Sequence, residues 1–436
     1  MSSASGQRHD TYDVVVVGAS FAGLSFAGVA ATRGLRVLVL ERDATIGGVV
    51  RTTGVLFSDV LDVLDVPQRY LMNAVRRLHI RPPNQDAIEI GAQAYRFYMA
   101  DVTGMLGWMA QRAEEHGAEI RCGAPFLDAT RAADGRMCVI FRAAGSAATE
   151  ADDPAVPAGE REQVYTRFLV GADGAHSQVA RRTGLDQNTH FLAGSEWLVE
   201  GVTLDRETFY LVMDHELAPG YCVWLAPHGD IAALGVAGHQ RVFKPNETLR
   251  LAPRLFAESA DLSGMRVRER KGGVIPTGGR LRRVYRDDAR GRVLLLGDAA
   301  GLCGAATGGG IYPALICGRL AAQAVANEVA NGVTGAVKRY LRNLPQTGRL
   351  GHYLQIEDWI RWGMDRMGSN ADVAAFYGLL CTPQGRLVLQ SALLETPIIG
   401  MDAGFFALIR GVLGKHPRIY GAAFRAAWQR VTARPH

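Results

Sequence analysis

The residues best suited to chemistry lie in the stretch VLLLGDAAGLCGAATGGGIYPALICGRLAA, residues 293–322. The apolar run Val293-Leu294-Leu295-Leu296 reads as a strand buried on both faces. Gly297-Asp298 follows at once, which puts a lone carboxylate at a strand end, suited to hydrogen-bonding a polyol. A loop almost free of bulky residues then runs through Cys303 to Gly308-Gly309-Gly310, and a small-residue helix begins near Ile311. Only backbone and very small side chains can approach a ligand there. The helix N-terminus offers free N–H groups and a positive dipole end. A flavin asks for both: an acceptor for its ribitol hydroxyls, and a positive end near N1 and O2, where charge collects on reduction.

A second constellation sits at the start of the chain. Tyr12-Asp13-Val14-Val15-Val16-Val17 reads as a buried strand, and Gly18-Ala19-Ser20-Phe21-Ala22-Gly23 turns into a helix rich in alanine and glycine. A further strand, Arg36 to Leu40, ends at Glu41. This β-turn-α-β unit carries its acid at the offset of a dinucleotide fingerprint. Gly18 permits the tight turn, Gly23 lets the helix sit close to the sheet, and Glu41 can accept from ribose hydroxyls. The pyrophosphate would rest on the helix N-terminus. Ser20 stands where the pattern usually has glycine; it is small enough to leave room, and its hydroxyl can donate. Arg42 and Arg51 are further candidates for the cofactor. For Arg51 a surface salt bridge is weighed equally. Nothing else in the chain repeats the unit, so one dinucleotide site is expected, assigned to FAD, and a separate NAD(P)H domain is not evident.

The third constellation is Phe168-Leu169-Val170-Gly171-Ala172-Asp173-Gly174-Ala175-His176-Ser177, again strand, glycine, acid, glycine, with a helix starting near Val179. Asp173-Gly174 alone would be a turn in most proteins. His176 reads as a hydrogen-bonding loop residue and Arg181 as loop support.

Together these motifs resemble the large flavoprotein family that includes p-hydroxybenzoate hydroxylase and the geranylgeranyl reductases. Gly297-Asp298 is similar to its GD motif and Asp173-Gly174 to its DG motif, which the resemblance places near the flavin pyrophosphate. TGGGIYPALICGRLAA looks most like the geranylgeranyl reductase branch. So does Gly220-Tyr221-Cys222-Val223-Trp224-Leu225-Ala226-Pro227-His228-Gly229-Asp230, which resembles that branch's aromatic-rich GYxWxFPxG segment. It departs where that branch tends toward an aromatic before the proline and a lysine after it. Tyr221 and Trp224, three apart, would face opposite sides of an ideal strand. With Cys303 they are the candidate substrate-pocket residues, against ordinary packing for each. The loop Gly304-Ala305-Ala306-Thr307 lacks the proline that relatives often carry.

The resemblance implies a reductase in which reduced FAD passes hydride from N5 to a carbon–carbon double bond of an isoprenoid, prenylated or other hydrophobic substrate. The electron donor would be external, NAD(P)H or another. A flavin monooxygenase acting on an aromatic or polyketide-like substrate is the alternative. A non-catalytic scaffold for prenylated partners is the second, and it would be expected to lose the glycines and acids kept here. No catalytic residue is assigned; Asp101 reads as a helix cap.

For the chain as a whole, 436 residues suggest two or three structural units, and 48% hydrophobic with 21% charged residues fit a globular enzyme. The net charge of +5 comes from scattered arginines rather than a basic block, so nucleic-acid binding is not expected. The six cysteines form no CxxC pair or ligand cluster. A metal site is therefore not expected, and reduced thiols in a cytoplasm are. No apolar run reaches the length of a membrane span.

The expected fold is α/β: a discontinuous Rossmann-like FAD-binding domain, an antiparallel-sheet substrate domain and a C-terminal helical region. The first takes residues 10–80, 101–190 and 281–335, the second 81–100 and 191–280, the third 336–436. Residues 143–162, rich in alanine, glycine, proline and acids, read as a solvated loop. In the last region Trp359, Trp362, Met364 and Met367 form one apolar group, and Phe405, Phe406, Leu408, Ile409, Val412 and Leu413 another. Arg410, Lys415 and Arg418 lie close to the second, which leaves peripheral membrane contact open beside an ordinary helical core. Oligomeric state is not readable.

Overall fold

Val14, Val15, Val16 and Val37, Leu38, Val39 are almost entirely shielded from solvent. Strands of that composition need cover on both faces, and they pair in parallel as such strands do. In the computed structural model, which describes residues 11–91, 97–143, 161–239 and 243–380, Thr11–Val17 lies between Val37–Leu40 and Arg161–Gly171. The sheet continues through Glu119–Arg121 on one side and Gly291–Leu295 on the other, all parallel. Antiparallel pairings add Tyr285–Asp288, Met137–Arg142 and Phe126–Arg131, giving eight strands.

The helix Phe21–Thr32 buries residues around most of its circumference, among them Phe21, Leu24, Phe26, Ala27 and Ala30. Beside the sheet it packs against the helices Val102–Glu115 and Ile311–Val329, the latter most extensively. It approaches Ile311–Val329 so closely that a Cβ on Gly318 would lie 2.5 Å from the Ala22 carbonyl oxygen, and Ser25 Oγ donates to the Leu315 carbonyl at 2.8 Å. Asp101 caps the helix Val102–Glu115 by accepting from the Gly104 N–H at 2.9 Å.

Contacts divide the chain into two compact units. The first comprises Met1–Met72, Tyr98–Leu192 and Lys271–Asp358; the second comprises Asn73–Phe97, Ala193–Arg270 and Trp359–His436. The sheet of the second has seven strands in the order Arg266–Pro276, Phe191–Glu200, Ile231–Gly238, Val223–His228, Thr208–Val212, Arg77–Arg81 and Ile88–Gly91. From Phe191–Glu200 to Ile88–Gly91 its pairings are antiparallel except where Thr208–Val212 meets Arg77–Arg81 in parallel. The expected α/β fold, with helices toward the C-terminus, is what the structure shows; the second sheet is mostly antiparallel, with one parallel pair. Those helices are Ala336–Asn343, Gly348–Met364 and Asn370–Leu380.

Several expectations fall outside the described residues: most of the solvated loop, Cys381, the apolar group from Phe405 to Leu413, and Arg410, Lys415 and Arg418. So does the side chain of Trp359. No helix among the described residues is long and apolar enough to cross a membrane.

Candidate cofactor site

The first unit gathers three motifs that are far apart in sequence. Gly18 adopts φ +101°, and a Cβ there would stand 2.3 Å from the Ala172 carbonyl oxygen. The fingerprint turn and the turn carrying Asp173 thus meet backbone to backbone. A Cβ on Gly23 would lie 1.9 Å from the Gly18 carbonyl oxygen, so the first turn of the helix also closes on the loop. Ser20, at φ −98°, needs no left-handed backbone, which explains why a side chain is accepted in the place of the usual glycine. The helix Phe21–Thr32 has no side-chain cap and no acid in its first turn. Its leading N–H groups are left for an anion.

Glu41 Oε2 accepts from the Ala19 N–H at 2.7 Å and Oε1 from the Asp43 N–H at 2.9 Å. Each oxygen keeps a lone pair, so the carboxylate can brace the loop and still accept from a ribose. Arg42 and Arg51 both face Asp43, at 3.8 and 3.9 Å, with about half of each side chain exposed. That is the geometry of weak surface pairs.

Asp173 turns inward. Its carboxylate accepts from Ser177 Oγ at 2.6 Å and from the Val179 N–H at 3.0 Å. Burial raises its pKa and these bonds oppose the rise. Asp173 therefore shapes its own turn, with Gly174 at φ +83°. His176 differs from its expectation: its ring packs against Phe191, centroids 4.6 Å apart, instead of hydrogen-bonding the loop. Arg181 bonds Gln178 within its own helix.

Gly297 at φ +56° turns the chain out of the strand, and its N–H is held by Cys317 Sγ at 3.3 Å. Among the described residues no donor reaches the Asp298 carboxylate, and burial alone raises its pKa to about 6. A Cβ on Gly310 would lie 3.1 Å from Asp298 Oδ1, so the helix Ile311–Val329 begins directly beside this acid. That helix, like the first, lacks a side-chain cap and an acid in its first turn. Gly308 sits at φ +71°. Cys303 is buried, and burial lifts its thiol well above the ordinary value, helped by the charges of Asp298 and Glu357. Burial thus disfavours the thiolate, the form in which a cysteine attacks or ligates.

Three residues that hold these loops belong to no sequence motif. Asn188 Nδ2 donates to the Ala175 carbonyl at 3.0 Å and to the Asp298 carbonyl at 2.8 Å, tying two motif loops together. Glu357 Oε2 accepts from the N–H groups of Ala306 and Thr307 at 2.8 and 2.7 Å. The Tyr353 hydroxyl donates to the Gly309 carbonyl at 3.0 Å and lies 3.1 Å from Thr307 Oγ1. Tyr353 and Glu357 are four residues apart on the helix Gly348–Met364 and so share a face. That spacing is the one signal the sequence carries for them.

Of the candidate pocket aromatics in the second unit, Trp224 is buried, donates to Glu196 Oε2 at 3.1 Å and presses on Gly235. Tyr221 lines a small cavity. The expectation that they face opposite sides of one strand is corrected: their rings meet edge to face, centroids 6.3 Å apart. The strand is Val223–His228, and Tyr221 precedes it in a turn set by Gly220 at φ +75°, where strand alternation does not apply.

The first unit thus presents two uncapped helix starts, a cradle that any Cβ at positions 18 or 23 would fill, and a buried carboxylate to which no described residue donates. These features fit FAD, and they define an FAD-binding flavoprotein. The description "FAD binding domain" matches residues 11–315. The chain belongs to this FAD-binding family and, within it, to the geranylgeranyl reductase group of FAD-dependent oxidoreductases. It is 30% identical to a digeranylgeranylglycerophospholipid reductase of Methanothrix thermoacetophila over 74% of this chain and 80% of that one. It is 29% identical to digeranylgeranylglycerophospholipid reductase 2 of Methanopyrus kandleri over 76% and 81%. A solved geranylgeranyl bacteriochlorophyll reductase-like protein from Thermoplasma acidophilum shares the fold, with a TM-score of 0.73 and 19% identity over 95% of this chain and 98% of that one.

Proposed function

We propose that this protein is a reductase that saturates carbon–carbon double bonds of an isoprenoid or prenylated lipid. The observation that carries this reading is the likeness to digeranylgeranylglycerophospholipid reductases over about three-quarters of the chain. Bound FAD would supply the redox chemistry, hydride for one alkene carbon with electrons drawn from an external donor, NAD(P)H or another, while the other carbon would take a proton.

The chain's own residues bind and orient. The N-terminus of the helix Phe21–Thr32 holds the pyrophosphate, with Gly18, Ser20, Ala22 and Gly23 giving it room, and Glu41 accepts from the ribose. Asp298 accepts from the ribitol. Gly308, Gly309, Gly310 and Ile311 present the second helix start, whose positive end would favour a flavin that gains negative charge. Arg42 and Arg51 lie at the rim, and Asp173 and Gly174 hold the middle turn in shape. Cys303, neutral and small, keeps the flavin loop tightly packed.

The test is anaerobic. The full chain, purified with its flavin and chemically reduced, is mixed with a geranylgeranyl lipid, and flavin absorbance is followed. Reoxidation by the lipid without oxygen supports the reading. Reoxidation only on admitting air opposes it, and a colourless protein that binds no FAD overturns it.

A further inference from the structure

Glu357 is a second buried acid in the cofactor unit, and the binding roles assigned above leave its proton unused. Its Oε2 takes the N–H groups of Ala306 and Thr307, and the Thr307 hydroxyl bonds the carboxyl too. Among the described residues no cation pairs with it: Arg361, one turn on along the same helix, pairs with Asp365. The other titratable groups around it are acids, a phenol and a thiol. Asp358 and Tyr353 lie on its own helix. Cys303, from the facing loop, feels the charges of both Glu357 and Asp298.

Close approaches lead from Glu357 to the flavin-binding elements. A Cβ on Gly304 would stand 2.9 Å from Glu357 Oε2. The preceding residue, Cys303, has its Sγ 3.6 Å from the Cβ position of Gly310, and that position is 3.1 Å from Asp298 Oδ1. One turn of loop therefore separates Glu357 from both the ribitol acid and the helix start that would face the flavin ring. No side chain in residues 303–310 is larger than threonine. Charges across so thin and buried a layer are weakly screened.

A flavin in this site that receives two electrons and one proton carries one more negative charge than before. A buried carboxylate beside an added negative charge gains proton affinity. Burial already raises the pKa of Glu357 to about 7, so a further rise falls above neutrality.

We propose that Glu357 is a redox-linked proton store, which binds a proton when the flavin is reduced and releases it when hydride leaves for the substrate. The balance closes. The external donor gives two electrons; one proton goes to the flavin and a second, from solvent, to the Glu357 carboxylate. Once hydride has gone to one alkene carbon the added charge is gone, and Glu357 gives up the proton that the other alkene carbon requires. The storage step rests on the flavin site alone, and the release step rests on the reductase reading.

The experiment is a reductive titration of the flavin-loaded full chain against reference dyes, without oxygen or substrate, at pH 6 to 9. Each proton bound on reduction shifts the equilibrium tenfold per pH unit, about 30 mV for a two-electron couple. From about pH 7 upward the wild-type potential should fall by two such steps per pH unit over an interval, where Glu357→Gln falls by one. Glutamine keeps an oxygen for Ala306 and Thr307 but binds no proton, so the loop clasp stays. A proton bound by the flavin itself would show equally in both proteins. A one-proton slope in the wild type from pH 7 to 9 overturns the proposal and needs no variant to fold. An extra proton that survives in Glu357→Gln also overturns it. Substrate plays no part in the titration, so failure to saturate a double bond contradicts the reductase reading and leaves the storage step standing.

Discussion

Glu357 Oε2 stands 2.7 Å from the Thr307 backbone nitrogen and accepts its hydrogen bond while holding the neighbouring Ala306 N–H as well. The loop that lacks the expected proline is thus fixed from outside, by a helix much further along the chain. A carboxyl oxygen and a tyrosine hydroxyl supply the restraint that a ring would otherwise give.

This clasp predicts a pH effect on stability. Glu357 is 2% exposed, and burial raises its pKa from 4.5 to about 7, although the two N–H bonds pull the other way. Between those values the unfolded chain loses a proton that the folded chain keeps, so folding weakens as pH rises from about 4.5 to 7. Glu357→Gln has no proton to lose and escapes this weakening. Between pH 5 and pH 8, chemical denaturation should show the stability difference moving in the variant's favour by about 2–3 kcal/mol, since a tenfold change in proton affinity is worth about 1.4 kcal/mol. Parallel behaviour of the two proteins would mean that Glu357 is not buried as described.

Asp298 predicts a pH effect on cofactor binding. Ribitol hydroxyls donate best to the ionised acid, and the flavin-free protein holds its carboxyl at a pKa of about 6. FAD affinity should be level above that pH and fall by up to about tenfold per pH unit below it. Asp298→Asn should weaken binding and flatten this profile. Asp298→Ala should cost about 10- to 100-fold by leaving ribitol donors unpaired. Flavin titrations at pH 5 to 8 measure all three, and full occupancy in Asp298→Ala would sink the assignment.

Glu41 should matter less. It accepts from the loop N–H groups of Ala19 and Asp43 whether or not a ribose is present. Glu41→Ala is expected to weaken FAD binding by less than Asp298→Ala does. Unchanged affinity would show that its lone pairs serve the loop only.

Two glycines can be compared directly. Gly23→Ala would place a methyl carbon 1.9 Å from the Gly18 carbonyl oxygen, whereas Gly107, on the helix Val102–Glu115, has open space at its Cβ. Gly107→Ala should stabilise the protein by about 0.5–1 kcal/mol through helix propensity. Gly23→Ala should destabilise it by about 1–3 kcal/mol, the usual cost of overpacking, and lower its flavin content. Thermal unfolding and flavin absorbance check both.

The cofactor unit was legible because its signals are local. A strand of valines, a glycine forced to φ +101° and an acid after the next strand all lie within residues 12–41. Gly297-Asp298 is equally local. What the sequence hid depends on contacts between distant segments. Asn188 joins two loops more than 100 residues apart. Tyr353 and Glu357 find their partners 44 to 51 residues back. What the Asp173-Gly174 motif does not reveal is that the Asp173 carboxylate accepts from Ser177 Oγ and the Val179 N–H and so braces the start of the next helix. Tyr221 was misplaced because Gly220 delays the strand by two residues, and the facing rule holds only inside it.

The central claim is double-bond reduction, and product mass tests it most directly. The purified protein is reduced under anaerobic conditions and mixed with polyprenyl lipids, prenylated quinones and small aromatic compounds. Each sample is split, and air is admitted to one half. A polyprenyl substrate should gain pairs of hydrogen atoms and no oxygen in the anaerobic half. A gain of one oxygen, found only in the aerated half, would contradict the claim and make the protein a hydroxylase.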